Sequence, residues 1–152
     1  MRQTYARFGA FRLAFLVTLG LLVVQYVLGM ISNLEVQFPG NLPGGNAWGW
    51  VWSHSLIIQL HIYIGTLLLV VALVALVLSS VARNIVGSIA AAAGLALIIL
   101  AWLSGAAFLA SQQNTLSLWM ALGFMGALVA YILDSWPSDP GGVRRDCTAL
   151  VC

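Results

Sequence analysis

The sequence is poor in charged residues: only 7% of its 152 positions are Asp, Glu, Lys or Arg, and lysine is absent. A soluble globular domain carries about 25% charged residues. The hydrophobic fraction is 62%, and the mean hydropathy is +1.02. This composition predicts a membrane protein whose main surroundings are the lipid bilayer. The net charge of +2 is too small for a nucleic-acid-binding surface, so no nucleic-acid partner is expected.

Residues that carry catalysis or hold metal ions are equally scarce. The chain has two histidines, two cysteines and four acidic residues, and no standard catalytic motif joins them. Cys147 and Cys152 form a C-x4-C spacing that matches no zinc or redox pattern, and we interpret them as tail thiols. An enzyme needs a positioned base and a partner group. The sequence therefore predicts that the protein is not an enzyme.

Four uncharged apolar segments are long enough to cross a bilayer, whose hydrocarbon core of about 30 Å requires about 20 helical residues. They predict transmembrane helices over about 11–31, 52–82, 85–110 and 115–134, with an outer loop over 32–51. The other two connections are short, which favours antiparallel neighbours. The predicted fold class is all-α: a polytopic, antiparallel bundle of four transmembrane helices in residues 1–135. An irregular cytoplasmic tail is expected over 136–152.

Arginine placement predicts the orientation of the bundle. All six cations lie on one side of the predicted membrane: Arg2, Arg7 and Arg12 before or at the start of the first helix, Arg83 between the second and third, and Arg144 and Arg145 after the fourth. The positive-inside rule makes that side cytoplasmic. We therefore expect a multi-pass protein of the plasma (inner) membrane with both termini in the cytoplasm.

A cluster of aromatic residues precedes the second predicted helix. Trp48, Trp50 and Trp52 alternate along the chain and are followed by His54, so in an extended segment the three tryptophans would share one face. Tryptophans at the depth of the lipid headgroups form the usual interfacial belt. We interpret all four residues as interfacial, and a platform for a partner or ligand is the alternative.

His61 lies in a polar layer about 7–9 Å below the outer ends of the helices. Gln25, Ser104 and Met120 lie at a similar depth on the other three helices, and polar residues in hydrocarbon normally face the bundle interior. In one interpretation, Gln25, Ser104 or a backbone carbonyl satisfies His61 and holds the helices in register. In another, His61, Met120, Gln25 and Gly65 form the site of a haem-type cofactor. His61 is then the metal ligand, Met120 offers a second ligand, and Gly65 leaves space beside the planar ring. In a third interpretation, His61 binds another ligand or takes part in proton transfer.

Short motifs spread along the chain resemble those of a known group of proteins. They are "GMISNLEVQFP" (29–39), "HIYIG" (61–65), "GAAFL" (105–109) and "SLWMAL" (117–122). In these motifs the chain resembles a group of small four-helix membrane proteins of high-GC bacteria. The resemblance covers most of the chain and implies the four-helix architecture, but it implies no activity.

A second similarity is to one half of haem A synthase, a four-helix module that binds haem b near the outer leaflet. The segment "LLVVQYVLG" ending at Gly29, the outer loop and His61 in the second helix carry it. That family has a glutamate three residues before its histidine and an arginine just after it, whereas this chain has Ile58 and Ile62. The fourth helix also lacks a second histidine, so bis-histidine ligation and haem A synthesis do not follow.

The sequence thus predicts a small integral membrane protein that acts as a non-catalytic accessory or scaffolding subunit of a larger membrane complex. Partner subunits or further copies of the chain would pack against it, since its third helix is rich in small residues. The first alternative is an electron-transfer subunit that binds haem b or another tetrapyrrole through His61. A transporter or channel component, active only as an oligomer, ranks last because the helices lack an internal carboxylate and a Gly/Pro break.

Overall fold

A computed structural model describes residues 2–42 and 46–135 of the chain. This part contains five helices and no strand: α1 Arg2–Glu35, α2 Trp48–His54, α3 Leu56–Val81, α4 Ile85–Ser111 and α5 Asn114–Ser135. Four of them contain a segment long and apolar enough to cross a membrane: Arg12–Glu35, Leu56–Val81, Ile85–Ser111 and Asn114–Leu133. The predicted all-α four-helix membrane bundle is confirmed. The predicted tail over 136–152 lies outside the described residues.

The four long helices pack in the order α1, α3, α4, α5, each against the next. The α4–α5 interface is the most extensive, and a smaller α1–α5 interface closes the bundle. Glu35, the short helix α2 and residues 112–113 lie at one end of the bundle, called here the α2 end. Arg12 and Arg83 lie at the other, called here the arginine end.

Small side chains form much of the core in the half of the bundle next to the arginine end. The buried residues there are Ala14, Phe15, Leu22, Leu68, Ala72, Ala75, Ala91, Ile98, Ala127 and Tyr131. Alanines let the helix backbones approach closely, which is how transmembrane helices gain packing energy. At Gly94 the approach is closest, because a Cβ atom there would overlap the ring of Tyr131. That ring also packs edge-on against Phe15, with centroids 5.1 Å apart.

Side-chain caps and left-handed residues make the short connections possible. Asn84 precedes α4, and its side chain accepts a hydrogen bond from Gly87 N at 3.1 Å. Arg83 and Gln112 both have φ of 55°, a left-handed conformation that turns the chain sharply at the end of a helix. The two short connections predicted from the sequence therefore occur between α3 and α4 and between α4 and α5.

The α2 end differs from the sequence-based boundaries. Helix α1 continues to Glu35 rather than ending near residue 31, so the connection after it is shorter than the predicted loop over 32–51. The predicted helix over 52–82 is two helices, since Ser55 is extended (φ −130°, ψ 92°) and caps α3 by accepting from Ile58 N. The polar run Ser53–His54–Ser55 separates the apolar residues of α2 from those of α3, and the predicted boundary at residue 52 overlooked it.

Candidate functional site

A hydrogen-bonded pair of side chains joins α1 to α3 inside the bundle. Gln25 Nε2 donates to the backbone carbonyl oxygen of His61 at 3.0 Å and lies 3.1 Å from His61 Nε2. The amide nitrogen is a donor, so in this orientation His61 Nε2 accepts and the neutral ring carries its proton on Nδ1. Both residues are half-buried. The structure thus brings together two of the residues that the sequence places at the same depth.

Each member of the pair is followed one helical turn later by a glycine that makes room for the other member. A Cβ atom at Gly65 would lie 2.9 Å from Gln25 Nε2, and a Cβ atom at Gly29 would lie 3.3 Å from His61 Cε1. The spacing is reciprocal, since Gly29 follows Gln25 and Gly65 follows His61 by four residues. Gly65, predicted to leave space beside a cofactor ring, here leaves space for the glutamine amide.

Two polar atoms of this pair are buried without a hydrogen-bond partner, Gln25 Oε1 and His61 Nδ1. An unpaired buried polar group costs on the order of 1–3 kcal/mol. The pair joins α1 to α3 and leaves one acceptor and one donor unused, which is a cost that a further hydrogen-bonding group would remove. The described residues contain no group of three His, Cys, Asp or Glu able to hold a metal ion.

A second polar contact joins α3 to α4 close to this pair. Trp102 Nε1 donates to Thr66 Oγ1 at 3.2 Å, and the threonine hydroxyl donates in turn to Ile62 O at 2.8 Å. The Trp102 ring also approaches Gly65, where a Cβ atom would lie 3.8 Å from Trp102 Cδ1. Three helices are thus connected by polar contacts at one level of the bundle. The sequence-based reasoning missed this contact, although a tryptophan inside an apolar span was a usable signal.

Ser104 and Met120, the other two members of the predicted layer, lie at the α2 half of α4 and α5. Ser104 is buried. Met120 lies against Gly105, where a Cβ atom would be 3.2 Å from its sulfur. This contact belongs to the α4–α5 interface, whereas His61 is paired across the α1–α3 interface. Ligation of a cofactor by His61 and Met120 stays a prediction.

The predicted interfacial residues form part of a small aromatic cluster at the α2 end. Trp50 packs between Phe38 and His54, with ring centroids 5.4 Å and 5.6 Å away, and the His54 ring is parallel to it within 3°. Trp52 is 47% exposed and contacts Tyr63. Because this segment is helical, the tryptophans do not share one face as an extended segment would require. Trp50 faces the cluster and Trp52 faces outward.

Two contacts fix α2 on the end of the bundle. Ala47 N donates to Leu109 O at 2.8 Å, which ties the start of α2 to α4. Gln59 Nε2 donates to Val51 O at 2.9 Å and to Trp52 O at 3.1 Å, which satisfies carbonyls at the end of α2 from the first turn of α3. Gln59 was missed by the sequence analysis, although it is the only polar side chain between Ser55 and His61.

Comparison of the chain with models of protein families, with curated proteins and with solved structures finds no match. A fold of this kind serves many functions, since function depends on the residues of the site rather than on the architecture. The function is therefore inferred from the contacts that this chain makes.

Proposed function

We propose that the protein is a non-catalytic subunit that packs against partner helices in a larger membrane complex. The observation that carries this proposal is the use of the internal polar side chains. Gln25 and His61 are bonded to each other across α1 and α3, and Trp102 is bonded to Thr66 across α3 and α4. These groups join helices, and they do not converge on a cavity where a substrate could be positioned.

The outward surface of the helices supports the packing role. Only 17–28% of the residues in the four spans are buried within the chain, so most of the apolar surface faces lipid or a neighbouring protein. Lipid provides no hydrophobic driving force for the association of transmembrane helices, so their association depends on packing and on polar contacts.

Tyr26 is the feature of that surface that best fits a protein partner. It is 52% exposed and stacks on Phe124 at 6.0 Å, across the smaller α1–α5 interface. It lies nine residues from the end of the span at Glu35, or about 13 Å along the helix, which is deep in a hydrocarbon core of about 30 Å. A hydroxyl group at that depth gains from a hydrogen-bonding partner. A partner helix lying over Tyr26 would supply one.

We also propose the plasma membrane as the location, with the arginine end in the cytoplasm. The position of Arg12 and Arg83 at one end of the bundle supports this orientation.

Haem b binding by His61 is the second candidate function, and the position of this imidazole within the span Leu56–Val81 supports it. In the arrangement described above, Nδ1 carries the proton, and Nε2, the nitrogen able to ligate iron, lies against the Gln25 amide. A cofactor on that nitrogen would have to replace this contact. Electron transfer would follow only if the cofactor is present.

The proposal is tested by purifying the protein from its native membrane in a mild detergent. We expect a defined, stoichiometric assembly much larger than the 16.2 kDa chain, and we expect Tyr26→Leu to release the chain from it. Tyr63→Leu is the matched control, because Tyr63 is also exposed, at 59%, but lies on α3. A monodisperse monomer, or equal release by both substitutions, would contradict the proposal.

The same sample tests the second candidate through its visible absorption spectrum. A Soret band that disappears in His61→Ala would establish haem binding on this residue. Its absence from both the intact protein and the variant would rule that function out, whatever the assembly state.

A further inference from the structure

A shallow cleft of about 590 Å³ lies at the arginine end of the bundle, where α3 ends and α4 begins. Its walls contain one cation, two hydroxyl groups, three aliphatic side chains and no carboxylate. The lining residues are Ser80, Arg83, Ile85, Ser88, Ile89 and Ala92. A cleft of this composition favours a ligand that has both an anionic group and an apolar part.

The aliphatic residues form a continuous strip along α4. Ile85, Ile89 and Ala92 are separated by four and then three residues, so they lie on one face of the helix. The strip is about 10 Å long and belongs to the membrane span that begins at Ile85. Ile85 is 75% exposed and Ile89 is 66% exposed. The aliphatic strip therefore runs from the boundary of the span into the hydrocarbon region.

Arg83, the cation of the cleft, lies at the outer edge of that strip, on a connection whose backbone is fixed. Arg83 N donates to Ser80 O at 3.1 Å, and Asn84 N donates to Ser79 O at 3.2 Å. Asn84 also caps α4 through Gly87. Arg83 thus leaves the chain at a defined point beside the first turn of α4, whose amino end carries partial positive charge.

We propose that this cleft binds an anionic phospholipid, with its phosphate against Arg83 and an acyl chain along Ile85, Ile89 and Ala92. An arginine presents several donors in a planar arrangement that matches phosphate oxygens, and cations near a membrane surface attract anionic lipids. The cation at Arg83 precedes the aliphatic strip that begins at Ile85, which is the order of headgroup and acyl chain in a lipid. A soluble anion would use only the first part.

The test measures binding of phosphatidylglycerol and phosphatidylcholine to the full-length protein in detergent by native mass spectrometry. We expect tighter binding of phosphatidylglycerol, and we expect Arg83→Gln to weaken it about fivefold, the effect of one cation near the membrane surface. Arg12→Gln is the matched control, since Arg12 is also an exposed arginine at the same end, on α1. Equal weakening by both substitutions would overturn the proposal, because it would indicate a general effect of charge.

A second variant tests the apolar part while keeping the cation. Ala92→Phe fills the strip, and we expect it to weaken phosphatidylglycerol binding although Arg83 is unchanged. Millimolar inorganic phosphate should not displace the lipid. Displacement by phosphate together with no effect of Ala92→Phe would overturn the lipid assignment in favour of a simple anion site. Binding of phosphatidylglycerol that is equal in the wild type, Arg83→Gln and Ala92→Phe would show that the cleft is not used.

Discussion

At the scale of single residues, the contact between Gln25 and His61 depends on two hydrogen bonds of different kinds. One is made to the His61 ring and the other to the His61 backbone carbonyl. Only the first depends on the identity of residue 61. This difference allows the side-chain part of the contact to be measured separately.

We predict that Gln25→Leu and His61→Leu are coupled in their effect on stability. The expected coupling free energy is about 0.6 kcal/mol and no more than about 1.7 kcal/mol, the mean and the maximum for hydrogen bonds between transmembrane helices. Gln25→Leu should be the more harmful single change, because it removes both bonds and leaves the buried His61 ring without its partner. The check is a double-mutant cycle on the free energy of unfolding in mixed micelles, and strictly additive effects would contradict the contact.

Tyr131 gives a second prediction at this scale, since its ring is tightly packed whereas its buried hydroxyl has no hydrogen-bond partner. Tyr131→Phe removes an unsatisfied polar group and should leave the free energy of unfolding unchanged or raise it by about 1 kcal/mol. Gly94→Ala should lower it by about 1–3 kcal/mol, because the new methyl group overlaps the ring.

Gly20→Ala is the matched control for Gly94→Ala, because no atom lies within 4 Å of a Cβ at Gly20. Thermal unfolding in detergent, followed by circular dichroism, measures all three variants. The gain in helix propensity from Gly to Ala is the same at both positions, so an equal change in stability at the two glycines would show that the overlap with Tyr131 does not set the result.

The sequence predicted part of the arrangement around His61 and could not predict the remainder. Depth along each helix follows from a fixed rise per residue, which is why Gln25 and His61 could be placed at one level. Rotation about the helix axis does not follow from apolar runs, since these helices are apolar on every side. The contact of Met120 with Gly105 therefore became apparent only from the packing.

At the scale of elements, α2 is the part of the fold with the least support of its own. It is seven residues long, too short to be stable alone. Its position depends on Ala47, on the buried Val51 and on the side chain of Gln59. The predicted helix over 52–82 joined the end of α2 to α3, although the polar run Ser53–His54–Ser55 marks the boundary between them.

We predict that Gln59→Ala loosens α2 without unfolding the bundle. Two hydrogen bonds from Gln59 are lost, each worth about 1 kcal/mol, although Val51 O keeps its bond from Ser55 N, so the amides of α2 should exchange with solvent about tenfold faster. Hydrogen exchange followed by mass spectrometry on peptides covering residues 48–54 measures this change. Gln113→Ala, at an exposed position between α4 and α5, should leave the exchange unaltered, and an equal effect of the two substitutions would count against the role of Gln59.

At the scale of the whole molecule, composition and segment length were sufficient to predict the architecture. A chain with 7% charged residues and four long apolar segments has few other ways to fold. The order of neighbours followed from the two short connections, which force successive helices to lie side by side. The surfaces by which such a bundle meets other proteins could not be predicted, because lipid-facing and protein-facing residues are both apolar.

The orientation of the bundle in the membrane is set by charge, and it leads to the last prediction. Arginines resist transfer across the bilayer, so the arginine end should stay in the cytoplasm together with Cys147 and Cys152. In intact cells, a membrane-impermeant maleimide should leave both cysteines unlabelled until the cells are lysed. A second variant has both cysteines changed to serine and carries Asn41→Cys, at an exposed position between α1 and α2. This variant should be labelled before lysis. The opposite pattern would place the arginine end outside. Because Tyr26 and Arg83 are fixed in the same four helices, both proposed sites would then be reversed: the lipid bound near Arg83 would lie in the outer leaflet, and the half of the bundle that contains Tyr26 would lie on the cytoplasmic side.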